Sequence, residues 1–137
     1  MFPKSLAAVK AAGLARVLYY SGHEKTHSGD GGAGLYLTEL NHSVRLGAVP
    51  LAVAASQLEG RHFVEQVRHP GQAAVIHLVF AGRGATVHMF WTSIGMQDVA
   101  PPPGTTEILS MWGRPAAGEP GRIHVSPDPV YVLVPME

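Results

Sequence analysis

From Arg61 onward the apolar residues come in short runs broken by turn formers. Residues 62–68 (HFVEQVR), 73–81 (AAVIHLVFA), 85–92 (ATVHMFWT), 105–110 (TEILSM), 122–126 (RIHVS) and 129–134 (PVYVLV) are six strand candidates. Each is enriched in β-branched or aromatic side chains, which fit a pleated, half-buried surface. Between them stand Pro70-Gly71, Gly82-Arg83-Gly84, Pro101-Pro102-Pro103-Gly104 and Gly118-Glu119-Pro120-Gly121. Short strands punctuated this often predict a mainly β fold, an antiparallel β-sandwich or barrel. The 73–92 pair predicts a hairpin closed by Gly-Arg-Gly.

The pattern before Arg61 is different. Residues 4–12 (KSLAAVKAA) predict a helix, since Ala, Leu and Lys are strong formers, and Gly13 can end it. Residues 14–20 (LARVLYY) extend that helix or form a strand, with Val17, Tyr19 and Tyr20 favouring strand. Residues 21–34 hold five glycines and read as a loop, and residues 35–42 alternate loosely. Pro50 opens a second helix over 50–59 and Gly60 caps it. The chain thus divides into a helical segment, 1–60, and a β-sandwich domain, 61–137, with no internal repeat.

Composition narrows the function classes. Ten basic residues balance ten acidic ones among 137, so no charge excess favours nucleic acid or an anionic membrane. Cysteine is absent, which excludes disulfides and thiolate metal sites. No segment approaches the ~20 apolar residues of a membrane span. Met1-Phe2-Pro3-Lys4 leads into a short Ala-rich run without the sustained apolar core of a signal peptide, so the default expectation is a cytoplasmic protein.

The order of segments carries a resemblance. Leu14–Tyr20, Pro50–Leu58 and the turn Leu58-Glu59-Gly60-Arg61 are followed by Val79-Phe80, Val87-His88-Met89-Phe90-Trp91-Thr92, Glu107–Pro115 and Val125-Ser126-Pro127-Asp128-Pro129-Val130-Tyr131-Val132. This succession resembles the C-terminal region of a clan A glycoside hydrolase, xylosidase- or glucosidase-like. There the last strand and helix of a (β/α)₈ barrel precede a β-sandwich with a Trp-Thr strand and a closing Pro-hydrophobic-Tyr-Val strand. Ser110 stands where that family often has Asp. The resemblance implies a barrel remnant in 1–60 and a sandwich in 61–137. It implies no catalytic residue here, because the family's acid/base and nucleophile glutamates would both lie before Met1. The expected role is therefore that of an accessory domain, giving structural support or weak glycan contact. No cofactor is implied. The partners implied are carbohydrate and either the missing barrel or a second copy of the chain. Val17–Tyr20 and the helix face of Leu51, Val53, Ala54 and Leu58 would otherwise lack the barrel they pack against.

Three side-chain groups have chemistry to weigh. His23-Glu24-Lys25-Thr26-His27 fits H-E-x-x-H, in which two histidines on one helical face bind zinc beside a general base. Glu39 or His42 is available as a third ligand, and this motif supports an alternative, a small metal-dependent hydrolase. Glycines on both sides oppose the required helix and favour a solvated loop. Trp91, Trp112, Tyr131 and Phe90 either form a sugar-stacking platform or fill the core between sheets. His62, His69, His77, His88 and His124 lie on or beside strands as half-exposed imidazoles, and counting about Gly82–Gly84 places His77 and His88 on opposite faces of the hairpin. Asp98 and Glu107 are lone acids near turns, with no paired acid and base.

Overall fold

The computed structural model describes residues 2–14, 48–116 and 121–136. Among these residues two helices, α1 (Phe2–Ala11) and α2 (Ala48–Leu58), precede seven strands: β1 (His62–Val67), β2 (Val75–Gly82), β3 (Ala85–Thr92), β4 (Gln97–Val99), β5 (Glu107–Ser110), β6 (Ile123–Val125) and β7 (Val130–Pro135). All six expected strands and both expected helices are present. The short β4 is additional.

Both helix ends follow from local chemistry. After α1, Gly13 N–H donates to Lys10 O and Leu14 N–H to Val9 O, the paired bonds that satisfy carbonyls at a helix terminus. Pro50 is buried in the first turn of α2, where its missing N–H leaves no bond unmade.

The strands form two antiparallel sheets. The larger has the order β1-β2-β3-β7-β5, and the smaller pairs β4 with β6. In the larger, each neighbouring pair is antiparallel. One of its faces carries Leu78, Phe80, Val87, Met89, Trp91, Leu109 and Tyr131, which share a core with Ala7 of α1 and with Ala54 and Leu58 of α2. The opposite face carries Val75, Phe90, Val130 and Val132, which pack on Val99 of β4 and on Ile123 and Val125 of β6. The central strands are thus covered on both sides, which is why β2, β3 and β7 read as nearly unbroken apolar runs instead of alternating. The result is a β-sandwich-like fold with helices on its outer face. No helix among the described residues is long and apolar enough to cross a membrane.

The β2–β3 hairpin turns through Arg83 and Gly84, with Gly82 paired to Ala85. Both turn residues have positive φ, 56° and 74°, the two-residue geometry whose twist matches that of the flanking strands. Gly82 also meets the end of α2: a Cβ there would come within 2.5 Å of the Gly60 carbonyl oxygen. This close approach fixes the exit of α2 against the sheet and sets where β1 begins.

Candidate functional site

The concentration of polar chemistry in the described residues lies on the sheet face opposite the helices. Val67 of β1 pairs with His77 of β2, and His77 pairs with Phe90 of β3. Beyond β1 the chain turns at Pro70-Gly71. The Gln72 N–H donates to His69 O at 3.0 Å, and Gly71 holds φ at +76°. Proline in the second position and a left-handed glycine in the third make this a tight, pre-set turn. It carries His69 back over the sheet.

There three imidazoles join. His69 Nε2 lies 3.0 Å from His77 Nδ1, and His77 Nε2 lies 2.9 Å from His88 Nδ1. The far end closes on Thr86, whose Oγ1 is 3.3 Å from both His88 Nε2 and the Val134 carbonyl oxygen. Proton positions follow from what each atom can do. A carbonyl only accepts, so the Thr86 hydroxyl donates to Val134, and His88 Nε2–H donates to Thr86. His88 Nδ1 is then an acceptor and takes the His77 Nε2–H. His77 Nδ1 takes the His69 Nε2–H in the same way. Each ring thus donates through Nε2–H, with every bond pointing the same way along the chain.

Burial supports this assignment. His77 is 4% exposed and stacks on Phe90, ring centroids 3.8 Å apart. Loss of solvent pushes its pKa down to about 3, helped by the neighbouring His88 and His69. His88 is also pushed down by burial, against the opposing attraction of Glu65. At neutral pH the middle of the relay therefore carries no charge.

At the His69 end the relay meets a cavity. His69 lines a cavity of about 560 Å³ bounded by Gln66, Val67, Arg68, Pro70, Gln72 and Val75. Beside it, the Gln72 side-chain amide donates to the Asp98 backbone carbonyl at 2.9 Å, tying the turn to β4. Asp98 in turn accepts from His124 Nδ1 of β6 and lies 3.9 Å from Arg122 Nη1.

No protein-family model and no curated protein matches the chain. Its fold is similar to part of a solved family 39 glycoside hydrolase from the gut symbiont Bacteroides cellulosilyticus WH2. The TM-score is 0.58 at 22% identity, over 73% of this chain and 22% of that one. The chain therefore spans about a fifth of the solved enzyme, and the likeness is one of fold.

The expected site residues are scattered. Trp91 and Tyr131 are buried in the core shared with the helices, while Trp112 is 42% exposed beyond β5. The three do not meet in one surface. Tyr131 is fully buried, its hydroxyl finds no partner among the described residues, and burial pushes the phenol pKa up. His23, Glu24, His27, Glu39 and His42 lie outside the described residues, as does most of 14–20. Among the described residues no group of three or more His, Asp or Glu side chains is arranged to hold a metal ion.

One expectation is overturned. His77 and His88 share a face, and His77 is buried, not half-exposed. A three-residue Gly-Arg-Gly loop would pair Ala81 with Ala85 and put the two histidines on opposite faces. The actual loop has two residues, the register shifts by one, and every side chain of one strand changes face relative to the other. Arg68, Gln72 and Thr86 carry no motif, and only the Pro70-Gly71 turn signalled that something is built there.

Proposed function

We propose that this chain is a non-catalytic β-sandwich region of a glycoside hydrolase-like protein, xylosidase- or glucosidase-like, in which it supports carbohydrate hydrolysis carried out elsewhere. The observation that carries this reading is the fold likeness to part of a family 39 glycoside hydrolase. The order of sequence segments points to the same group of enzymes by a separate route. A two-carboxylate mechanism needs its acids held roughly 5–9.5 Å apart across a sugar. Of the described acids, Glu59 pairs with Arg83, and Asp98 pairs with His124 and Arg122. Residues 1–60 would then belong to the end of a barrel, and the partner would be that barrel or a second copy of the chain.

Aryl β-xylosides and β-glucosides incubated with the pure protein test the reading. No turnover is expected. Turnover that survives a control preparation and disappears when Glu65, Asp98 or Glu107 is replaced by its amide would overturn it.

A further inference from the structure

The geometry points to the cavity at the open end of the histidine relay as a binding site for a neutral polyhydroxylated ring, a single sugar residue. Because the Thr86 hydroxyl donates to the Val134 carbonyl, the relay runs in one direction, and a neutral His69 gives its single N–H to His77. The other nitrogen of that neutral ring, Nδ1, is then an acceptor, and it has no partner among the described residues. Gln72 is fixed in the same sense. Its amide N–H₂ faces the Asp98 carbonyl, which only accepts, so Oε1 is left as a second acceptor. Two acceptors held on one pre-set turn select a ligand with two neighbouring donors. Adjacent hydroxyls offer that, and so does an amine cation. Arg68 lines the same cavity and opposes a cation. A hydroxyl also accepts, so each one that donates to His69 or Gln72 can accept a hydrogen bond from Arg68 or from the Gln66 amide. Pro70, Val67 and Val75 supply apolar wall for the C–H face of a ring. The cavity of about 560 Å³ lies within the ordinary range for small-ligand sites. Thr86 acts at a distance: it sets the polarity of His69 through two intervening rings and is a positioning residue.

The choice of a sugar among polyols rests on the proposed function, whereas the site rests on the relay and the turn alone. Titration of the ¹⁵N-labelled full chain with methyl β-xyloside, methyl β-glucoside and glycerol tests both. Long-range ¹⁵N–¹H spectra of the free protein should show His69, His77 and His88 all as Nε2–H tautomers. The glycosides should shift residues 66–75 saturably. His69→Phe should weaken that binding about tenfold, the loss expected for one hydrogen bond. Thr86→Val, outside the cavity lining, removes the bias on relay direction, so it should bring Nδ1–H character to His69 and weaken binding in parallel. A protonated Nδ1 on His69 in the neutral wild-type protein would overturn the proposal. Glycoside shifts confined to the surroundings of Trp112 would also overturn it, while leaving glycan contact by this chain intact. Silence of residues 66–75 toward every probe at high millimolar concentration would do the same. Turnover of aryl glycosides would sink the accessory reading without touching the site.

Discussion

Acidification should unfold this protein through His77. The unfolded imidazole titrates near 6.5, but the folded one holds its proton only near 3, because protonation places a charge in a buried stack against Phe90. The folded-state pKa of a base is thus depressed, and the unfolded state binds the extra proton between those values. Stability is full above about pH 6.5 and falls as pH drops toward 3. Integrating the linkage relation gives a loss of about 2 kcal/mol by pH 5, about 3 kcal/mol by pH 4 and about 5 kcal/mol in full. Protonation also breaks the relay, since a cationic His77 has two N–H groups and no acceptor left for His69. Urea unfolding at pH 7.5 and pH 5 measures the effect, with His77→Gln as reference. Glutamine offers a donor and an acceptor but does not titrate. The variant starts less stable, so the quantity to compare is the change between the two pH values. Wild type should lose about 2 kcal/mol more than the variant over this interval. Parallel losses in the two proteins would show that His77 is not held neutral by the fold.

Trp91→Ala should destabilise by ~3–5 kcal/mol, because the indole is buried between the sheet and the helices, and calorimetry should show the drop in melting temperature. Tyr131→Phe should raise stability by about 1 kcal/mol, since it removes a buried hydroxyl that has no partner among the described residues; a fall of that size would mean the hydroxyl is satisfied. Elemental analysis of the pure protein should find substoichiometric zinc, and one tight equivalent lost in His27→Ala would favour the metal-dependent alternative. Light scattering should show self-association with rising concentration. The outer edge of β1 has no partner among the described residues, and Val64, Val49 and Leu14 are exposed; a monomer at high micromolar concentration would refute this.

The strands were legible because their physics is local. Phe63, Val79, Val87, Ile108, Ile123 and Val132 stand in short runs bounded by Gly and Pro, and such runs are strands wherever the layers fall. β4 was not legible. Gln97-Asp98-Val99 has one apolar residue in three, and it is a strand because Ile123 and Val125 offer it a ladder and Val99 a place in the core. Nor could the layering be read from the apolar runs. A continuous run says that both faces are covered, and it does not say that Ala54 and Leu58 cover one while Val99 and Val125 cover the other.

The relay failed to show in the sequence for a sharper reason. Histidine 77 and histidine 88 are eleven residues apart on two strands, and whether their rings meet depends on a single residue of loop length. Arg83 settles it. By taking a positive φ of 56°, a conformation an L residue adopts at some cost, it lets two residues turn the chain where three glycine-rich ones were available. Gly82 then joins the ladder opposite Ala85, the register moves by one, and the two imidazoles fall on one face with rings 5.1 Å apart. The same choice is coupled to α2, because Gly82 in the ladder lies against the Gly60 carbonyl where no Cβ fits. The helix exit, the hairpin register and the polarity offered at His69 are therefore linked through one glycine. A substitution such as Gly82→Ala, remote from the cavity, should disturb the His77–His88 bond as well as the packing of α2. Histidine tautomer spectra that stay unchanged in a folded Gly82→Ala protein would show that the relay is positioned independently of the helix.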